Sequence, residues 1–286
     1  MSTRRFNIEG FTIIKNIGTG ARTTIYLARD EATKERVALK RAVLETPEDT
    51  RIFEQIANEY KVSQNIDHPY IRKCNKIIKR RKLMKVSEVL LSMEMFEGRS
   101  LEESNAFSLG DLLLIFRMVA TALNGMHQCG YVHCDIKPNN ILISDKGNIR
   151  IIDLGQSCKI GAIKTRIQGT PDYIAPEQVH RQHLSHRTDI FNFGATLYWA
   201  LTGKNVPTLI PQKSEIGMPV HQKKEFKTPS QVYKQIPKKV SNLVMSCVEE
   251  KPSNRPSNMA EIIAIFDGFI RDIFSAKGLK NGSEDN

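Results

Sequence analysis

The hydrophobic pattern of this chain changes period near residues 94 to 98, and that change narrows the folds open to it. Before it, apolar residues come in short strand-like runs, among them Phe11 to Ile17, Thr24 to Ala28 and Val37 to Lys40. One helical segment, Arg51 to Ile66, interrupts them. After Phe96, Glu97 and Gly98 the spacing becomes helical, with Ser108 a candidate N-cap and Leu112, Ile115, Phe116, Val119, Leu123 and Met126 forming a stripe. Further helices read from Asp189 to Leu201, Lys238 to Glu249 and Ser257 to Phe274, with Gly203 and Pro252 where helix ends belong. The class is α+β. A chain of 286 residues, 40% hydrophobic, can bury a large core as one domain or as two lobes.

Composition excludes some classes. No apolar run approaches the thickness of a bilayer, and the charged start has no apolar signal core behind it, so a cytoplasmic location is the default expectation. Cys74, Cys129, Cys134, Cys158 and Cys247 form no C-x-x-C pair, show no metal-ligand spacing and are odd in number; they read as reduced thiols. The net charge of +11 admits nucleic acid, anionic membrane or acidic protein partners, but the basic residues are scattered. Their one local cluster, Lys79, Arg80, Arg81 and Lys82, reads as a solvated turn between strands, with a docking patch as the alternative. The polar tail from about Ser275 and a few starting residues read as disordered.

The stretch from Tyr131 to Gly155 carries chemistry. Ile141, Leu142 and Ile143 and then Ile149, Ile151 and Ile152 are apolar runs around Asp145, Lys146, Gly147 and Asn148, a hairpin with its turn. Asn140 and Asp153 lie equally far from the turn's centre, so antiparallel pairing is expected to set them side by side. An amide oxygen and a carboxylate there suit a hard cation such as Mg²⁺, which takes a few protein oxygens plus substrate phosphates. Asp135 and Lys137 stand just upstream, completing a polar set suited to moving a phosphoryl group. Taken alone, the segment would also fit a surface hairpin with polar ends.

Two further elements answer that set. Gly18, Thr19 and Gly20 join two strands and open no helix, which excludes a dinucleotide fingerprint and a Walker loop. Alternation puts Val37 and Leu39 on one strand face and Ala38 with Lys40 on the other. On the following helix Ile52, Ile56, Ser63 and Ile66 share a face with Glu59 in its middle, while Glu54 points away. A carboxylate on an apolar stripe calls for a cation, which makes Lys40 with Glu59 the motivated pair.

Taken in order, Gly18, Gly20, Thr23, Ile25, Ala38, Lys40, Glu59, His133, Asp135, Lys137, Asn140, Asp153, Gly155, Ala175, Pro176 and Glu177 resemble the eukaryotic-like serine/threonine protein kinase family over nearly the whole chain. The resemblance implies a two-lobed protein-kinase-like fold, a small antiparallel β lobe with one helix and a larger, mainly helical lobe. Its boundaries would be an extension over 1–10, an N-lobe over about 11–93, a hinge at 94–97, a C-lobe over about 98–274 and a tail over 275–286.

It also implies ATP and Mg²⁺ as cofactors and Ser/Thr-bearing proteins as substrates. The glycine-rich segment Ile17, Gly18, Thr19, Gly20, Ala21, Arg22, Thr23, Thr24 and Ile25 would cover the nucleotide, and Ala38, Leu142 and Ile152 would complete a sandwich around its base. Met93 would be the gatekeeper, with Glu94 and Phe96 in the backbone that holds the base. Asp135 would be the base, Lys137 would neutralise developing charge, Lys40 braced by Glu59 would position phosphates, and Asn140 with Asp153 would hold the metal. Glu177 would pair with Arg255, and Asp189 would brace the catalytic loop.

Departures from the family pattern carry their own expectations. Cys134 replaces an arginine that in many relatives binds phosphate on the activation loop, so activity without loop phosphorylation is expected. Ser157, Thr165 and Thr170 are the candidate loop hydroxyls, Thr170 more as an organiser of the peptide-binding segment. Thr23 stands where a third glycine is common and stiffens the loop, and Leu154 keeps an apolar plug. Cys134 and Cys158 raise a redox pairing, idle buried thiols being the plainer alternative. A nucleotide-binding pseudokinase scaffold and a kinase-fold small-molecule phosphotransferase are the competing functions; Asp172 to Glu177 favours a peptide platform over the latter.

Overall fold

Strand alternation at residues 37 to 40 decides how the first lobe is built in the computed structural model, which describes residues 7–20, 22–46, 50–82, 84–104, 107–207 and 226–281. On β4 (Arg36–Val43), Val37 and Leu39 pack outward with Ile8, Phe11, Ile13, Ala28 and Leu90. Ala38 and Ala42 pack inward with Ile56 of α1 (Thr50–Ser63), Cys74, Val89, Leu91 and Met93. A sheet buried on both faces results. Its order is β1 (Asn7–Ile8), β2 (Phe11–Thr19), β3 (Thr23–Asp30), β4, β6 (Lys85–Glu94) and β5 (Cys74–Lys82), with every neighbour antiparallel.

Two readings change here. Residues 7 and 8, assigned to an N-terminal extension, form an edge strand because the Ile8 side chain is buried against the outer apolar cluster. The basic cluster is no turn: Lys79 to Lys82 finish β5, paired with β6, because Arg80 is held by Glu88 at 3.1 Å and by the Glu9 carbonyl at 2.9 Å. Lys79, Arg81 and Lys82 remain exposed.

The second lobe is organised by α2 (Leu109–Gln128). Ser108 caps it with a capping box, its hydroxyl accepting from the Asp111 N–H while the Asp111 carboxylate accepts from the Ser108 N–H. Leu112, Leu113, Ile115, Phe116, Val119, Leu123 and Met126 are all buried. Among the described residues α2 is the one helix long and apolar enough to cross a membrane by length and composition, which corrects the reading that no segment is. It does so as a core helix. Phe193 on α4 (His186–Thr202) makes edge contacts with Phe116 of α2 at 5.4 Å and with Phe266 of α7 (Met259–Asn281) at 6.1 Å.

Helix ends follow local chemistry, the short α3 (Pro176–Val179) and α5 (Pro229–Val232) lying between the longer helices in sequence. The α4 helix begins three residues before the expected Asp189 because the Ser185 hydroxyl accepts from the Arg187 N–H, and it stops at Gly203, φ +67°. The α6 helix (Lys238–Cys247) ends before the expected Glu249, and Pro252 opens a separate 3-10 turn. The α7 helix starts at Met259 with the Asn258 side chain accepting from the Glu261 N–H, and it continues through Ser275 to Asn281, where a polar tail was expected. Ala276, Lys277, Leu279 and Lys280 are good helix formers, which explains the extension; 282–286 lie outside the described residues.

Where α4 crosses α6, a β-carbon added at Gly194 would stand 2.4 Å from the Cys247 β-carbon and 3.1 Å from Val248. Only a bare backbone fits there. We therefore expect Gly194→Ala to lower stability by about 1 to 3 kcal/mol through overpacking, read as a lower urea midpoint at an unchanged slope.

Candidate active site

The loop that carries Asp135 and Lys137 is positioned by one buried carboxylate. Asp189, at the first turn of α4 and fully buried, accepts from the His133 and Cys134 backbone N–H groups at 2.8 Å each and meets His127 Nε2 at 2.8 Å. Burial works against its ionisation, but His127, His133 and the Cys134 N–H hold it below the usual aspartate range. These bonds fix the backbone on which Asp135 sits, with Cys134 in a left-handed conformation at φ +65°.

Asp135 itself is buried and surrounded by donors. One carboxylate oxygen accepts from the Thr170 hydroxyl at 2.9 Å, and the other lies 3.3 Å from Lys137 Nζ and 3.4 Å from the Asn140 amide nitrogen. Lys137 also donates to the Thr170 hydroxyl at 2.7 Å. The Asn140 amide makes its shortest bond, 2.8 Å, to the Asp135 carbonyl. Its nitrogen is thereby committed to the loop, while its oxygen remains the end suited to a hard cation.

The hairpin that follows differs from its expected register. β9 (Ile141–Ile143) and β10 (Ile149–Ile151) pair with Leu142 opposite Arg150, so Asn140 faces Ile152, whose N–H donates to the Asn140 carbonyl at 3.0 Å. Asp153 lies one residue further and is not directly opposite Asn140. The cause is the turn: Gly147 at φ +76° adds a residue between Ser144 and Asn148, which close the loop by a 2.9 Å bond. Asp153 then leaves the strand through a left-handed conformation of its own, φ +65°.

That departure brings the Asp153 carboxylate to Lys40. Lys40 Nζ stands 2.7 Å from Glu59 and 3.3 Å from Asp153, and it lies inside β4, not at the strand's end. Burial alone would push its ammonium down, but Glu59 and Asp153 outweigh it and hold the group above the usual lysine range. The Lys40 charge in turn holds the half-buried Asp153 carboxyl down at about 2.

Around this centre lie the residues expected to hold a base. Met93 is fully buried opposite Ala38 on the neighbouring strand, while Ile25, Leu142 and Ile152 are half-buried and Ile17 is exposed. The glycine-rich segment is a β2–β3 hairpin with Gly18 opposite Ile25, Thr19 opposite Thr24, and the Gly20 N–H donating to the Thr23 carbonyl at 2.8 Å. The Arg22 guanidinium donates to Thr46, and Ala21 lies outside the described residues. The linker after β6 is pinned to the lower lobe: Glu94 takes 2.8 Å and 3.2 Å bonds from Arg150, which also lies over the Phe96 ring. Next to it β7 (Arg99–Ser100) pairs with β9, and at Gly98 a β-carbon would fall 2.6 Å from the Ile143 carbonyl oxygen.

The sequence profile of the protein kinase domain matches residues 11–265. The chain belongs to the protein kinase domain family. A probable serine/threonine-protein kinase of Clostridium acetobutylicum is 27% identical over 279 residues, covering 91% of this chain and 39% of that protein. A second, from Clostridium perfringens, is 25% identical over 280 residues, covering 92% and 38%. Serine/threonine-protein kinase PknD of Chlamydia trachomatis is 26% identical over 293 residues, covering 89% and 31%. The chain thus spans under half the length of these relatives.

Sequence reasoning missed three supports of this kinase domain. Asn58, beside Glu59 on α1, donates to the Gly155 and Ser157 carbonyls at 3.1 Å and 2.8 Å. A poor helix former inside a helix was the available signal. Arg72, buried, brings a second cation to Glu59 at 3.9 Å; no short motif marks it. Gln178 donates to the Cys134 and Gln168 carbonyls at 2.8 Å and 3.1 Å. The expected Glu177 to Arg255 pair is present, buried, at 2.8 Å and 3.0 Å. Of the loop hydroxyls only Thr165 is exposed: Ser157 is buried beneath the His133 carbonyl, which corrects its candidacy, and Thr170 is engaged with Asp135.

Because the folded Asp153 carboxyl sits at about 2 against an ordinary 3.8, its stabilisation is complete above the ordinary value and disappears as pH falls through that window. The urea midpoint of the wild type is expected to exceed that of Asp153→Asn near neutral pH, with the gap closing between about pH 4 and pH 2.

Proposed function

We propose that the chain is a serine/threonine protein kinase, transferring the γ-phosphoryl of ATP to a protein hydroxyl with Asp135 as base. The observation that carries this reading is the caged Asp135 carboxylate, with the Thr170 hydroxyl on one oxygen and Lys137 and Asn140 on the other. A carboxylate held this way can accept the proton of an attacking alcohol, and Lys137 beside it can offset negative charge as it develops. The names of the Clostridium and Chlamydia relatives support the same activity.

The rest of the site fits nucleotide and metal. Ile17, Ile25, Ala38, Leu142 and Ile152 give apolar faces for a flat base, with Met93 closing the back and the Glu94 to Phe96 backbone offering polar groups. Gly18, Thr19, Gly20, Ala21, Arg22, Thr23 and Thr24 would lie over the phosphates, and Lys40, braced by Glu59, would orient them. The Asn140 oxygen and the ionised Asp153 carboxylate are hard donors of the kind Mg²⁺ takes, and the ion would neutralise phosphate charge.

Loop phosphorylation is not needed in this reading. Cys134 is buried with Val132, Leu184 and Cys158, so position 134 offers an apolar contact where a phosphate-binding cation would stand. Two measurements test the proposal. With ATP, Mg²⁺ and a peptide array, Asp135→Asn should keep nucleotide binding by thermal shift while losing about a hundredfold or more in phosphopeptide yield. Nucleotide binding without any peptide labelling by the wild type would support the pseudokinase reading instead, and labelling only of small molecules the other alternative. Phosphatase-treated enzyme should retain its initial rate; loss of activity after that treatment contradicts the assignment to Cys134.

A further inference from the structure

Cys134 and Cys158 belong to segments far apart in sequence, yet their sulfurs lie 3.8 Å from one another. Cys134 precedes Asp135 on the catalytic loop, and Cys158 opens β11 (Cys158–Lys159), which pairs with β8 (Tyr131–Val132). Both thiols pack with Val132 and Leu184; Cys134 is fully buried and Cys158 half-buried. From this geometry we propose that Cys134 and Cys158 form a reversible disulfide on exposure to a peroxide, and that the bond lowers phosphoryl transfer.

The division of labour between the two sulfurs follows from their surroundings. The contact with Cys134 and the nearby Lys164 ammonium hold Cys158 below the ordinary thiol range; the same contact and burial push Cys134 up. Cys158 is also the more accessible. Its thiolate attacks one peroxide oxygen, the O–O bond breaks, and the leaving hydroxide takes up a proton as water, giving a sulfenic acid. The Cys134 sulfur then displaces the sulfenic hydroxyl, which leaves as a second water with the Cys134 proton. Two thiols and one hydrogen peroxide yield one disulfide and two waters, and a dithiol reductant reverses the change.

Closing the bond means bringing the sulfurs from 3.8 Å to about 2.05 Å. Cys134 cannot supply much of that movement, because Asp189 holds its N–H and Gln178 its carbonyl. The displacement therefore falls on Cys158 and its neighbour Ser157, whose carbonyl is the 2.8 Å partner of Asn58 on α1. Losing that bond leaves the helix that carries Glu59, and with it Lys40, held there by the Gly155 carbonyl alone. The linkage stands on geometry alone; its effect on turnover rests on the kinase reading above.

The test treats the purified chain with graded hydrogen peroxide, alkylates remaining thiols and maps peptides without reduction. The expected product is a Cys134–Cys158 linked peptide, two hydrogens lighter, that dithiothreitol removes. In parallel, phosphotransfer of the oxidised wild type should fall severalfold and recover with dithiothreitol, whereas Cys158→Ser should remain active and resist peroxide. In Cys134→Ser the intermediate has no resolving thiol, so a dimedone adduct should accumulate on Cys158. Alkylation of both residues at every peroxide level, or linkage of Cys158 to another cysteine, overturns the disulfide. A linked enzyme of unchanged rate overturns only the regulatory consequence, and a wild type inactive before oxidation counts against the kinase reading instead.

Discussion

A single ammonium group, that of Lys40, ties the two lobes into one site. It is held by Glu59 from α1 at 2.7 Å and by Asp153 from the lower lobe at 3.3 Å, so sheet, helix and hairpin converge on one charge. Breaking an isolated buried pair costs about 3 to 5 kcal/mol, but here Asp153 stays with Lys40 and Arg72 with Glu59, so losing one member costs less. Much of the surrounding structure serves to keep that convergence in place. Arg72 shares Glu59, Asn58 holds α1 to the backbone after Asp153, and the left-handed turn at Asp153 aims its carboxylate.

The loop that carries Asp135 is built on the opposite logic. There a buried anion, Asp189, gathers backbone N–H groups and an imidazole, and the loop inherits its shape from those bonds. Asp135 is then presented with both oxygens already solvated by protein donors. A group meeting that carboxylate would find its geometry already set, which in the proposed reaction limits reorganisation.

How much of this could be read from the residues alone depended on range. The Lys40 to Glu59 pair was legible because each residue broke a local rule, a charge beside a small residue on an apolar strand and a carboxylate on an apolar helix face. Strand alternation at Val37 to Lys40 and the N-cap at Ser108 were legible for the same local reasons. The hairpin register was missed by one residue, since symmetry about the turn ignores the residue that a left-handed Gly147 inserts. Arg72 and Gln178 were invisible because their partners are remote in sequence and no periodicity marks them. The basic run at Lys79 looked like a turn since its strand lies at the sheet edge, where charge is tolerated.

The segment between α1 and β5 reaches the lower lobe as well. Ile71 bridges Ile151 in parallel, with the Ile151 N–H donating to the Tyr70 carbonyl at 2.7 Å and the Arg72 N–H to the Ile151 carbonyl at 3.0 Å. The upper lobe is therefore joined to the lower at this bridge, at the linker over Ile143, through Asn58 to the Gly155 and Ser157 carbonyls and through Lys40 to Asp153. Turning about the line through the first two would leave them nearly undisturbed while drawing Asn58 and Lys40 off their partners, so the cleft is a door with a latch.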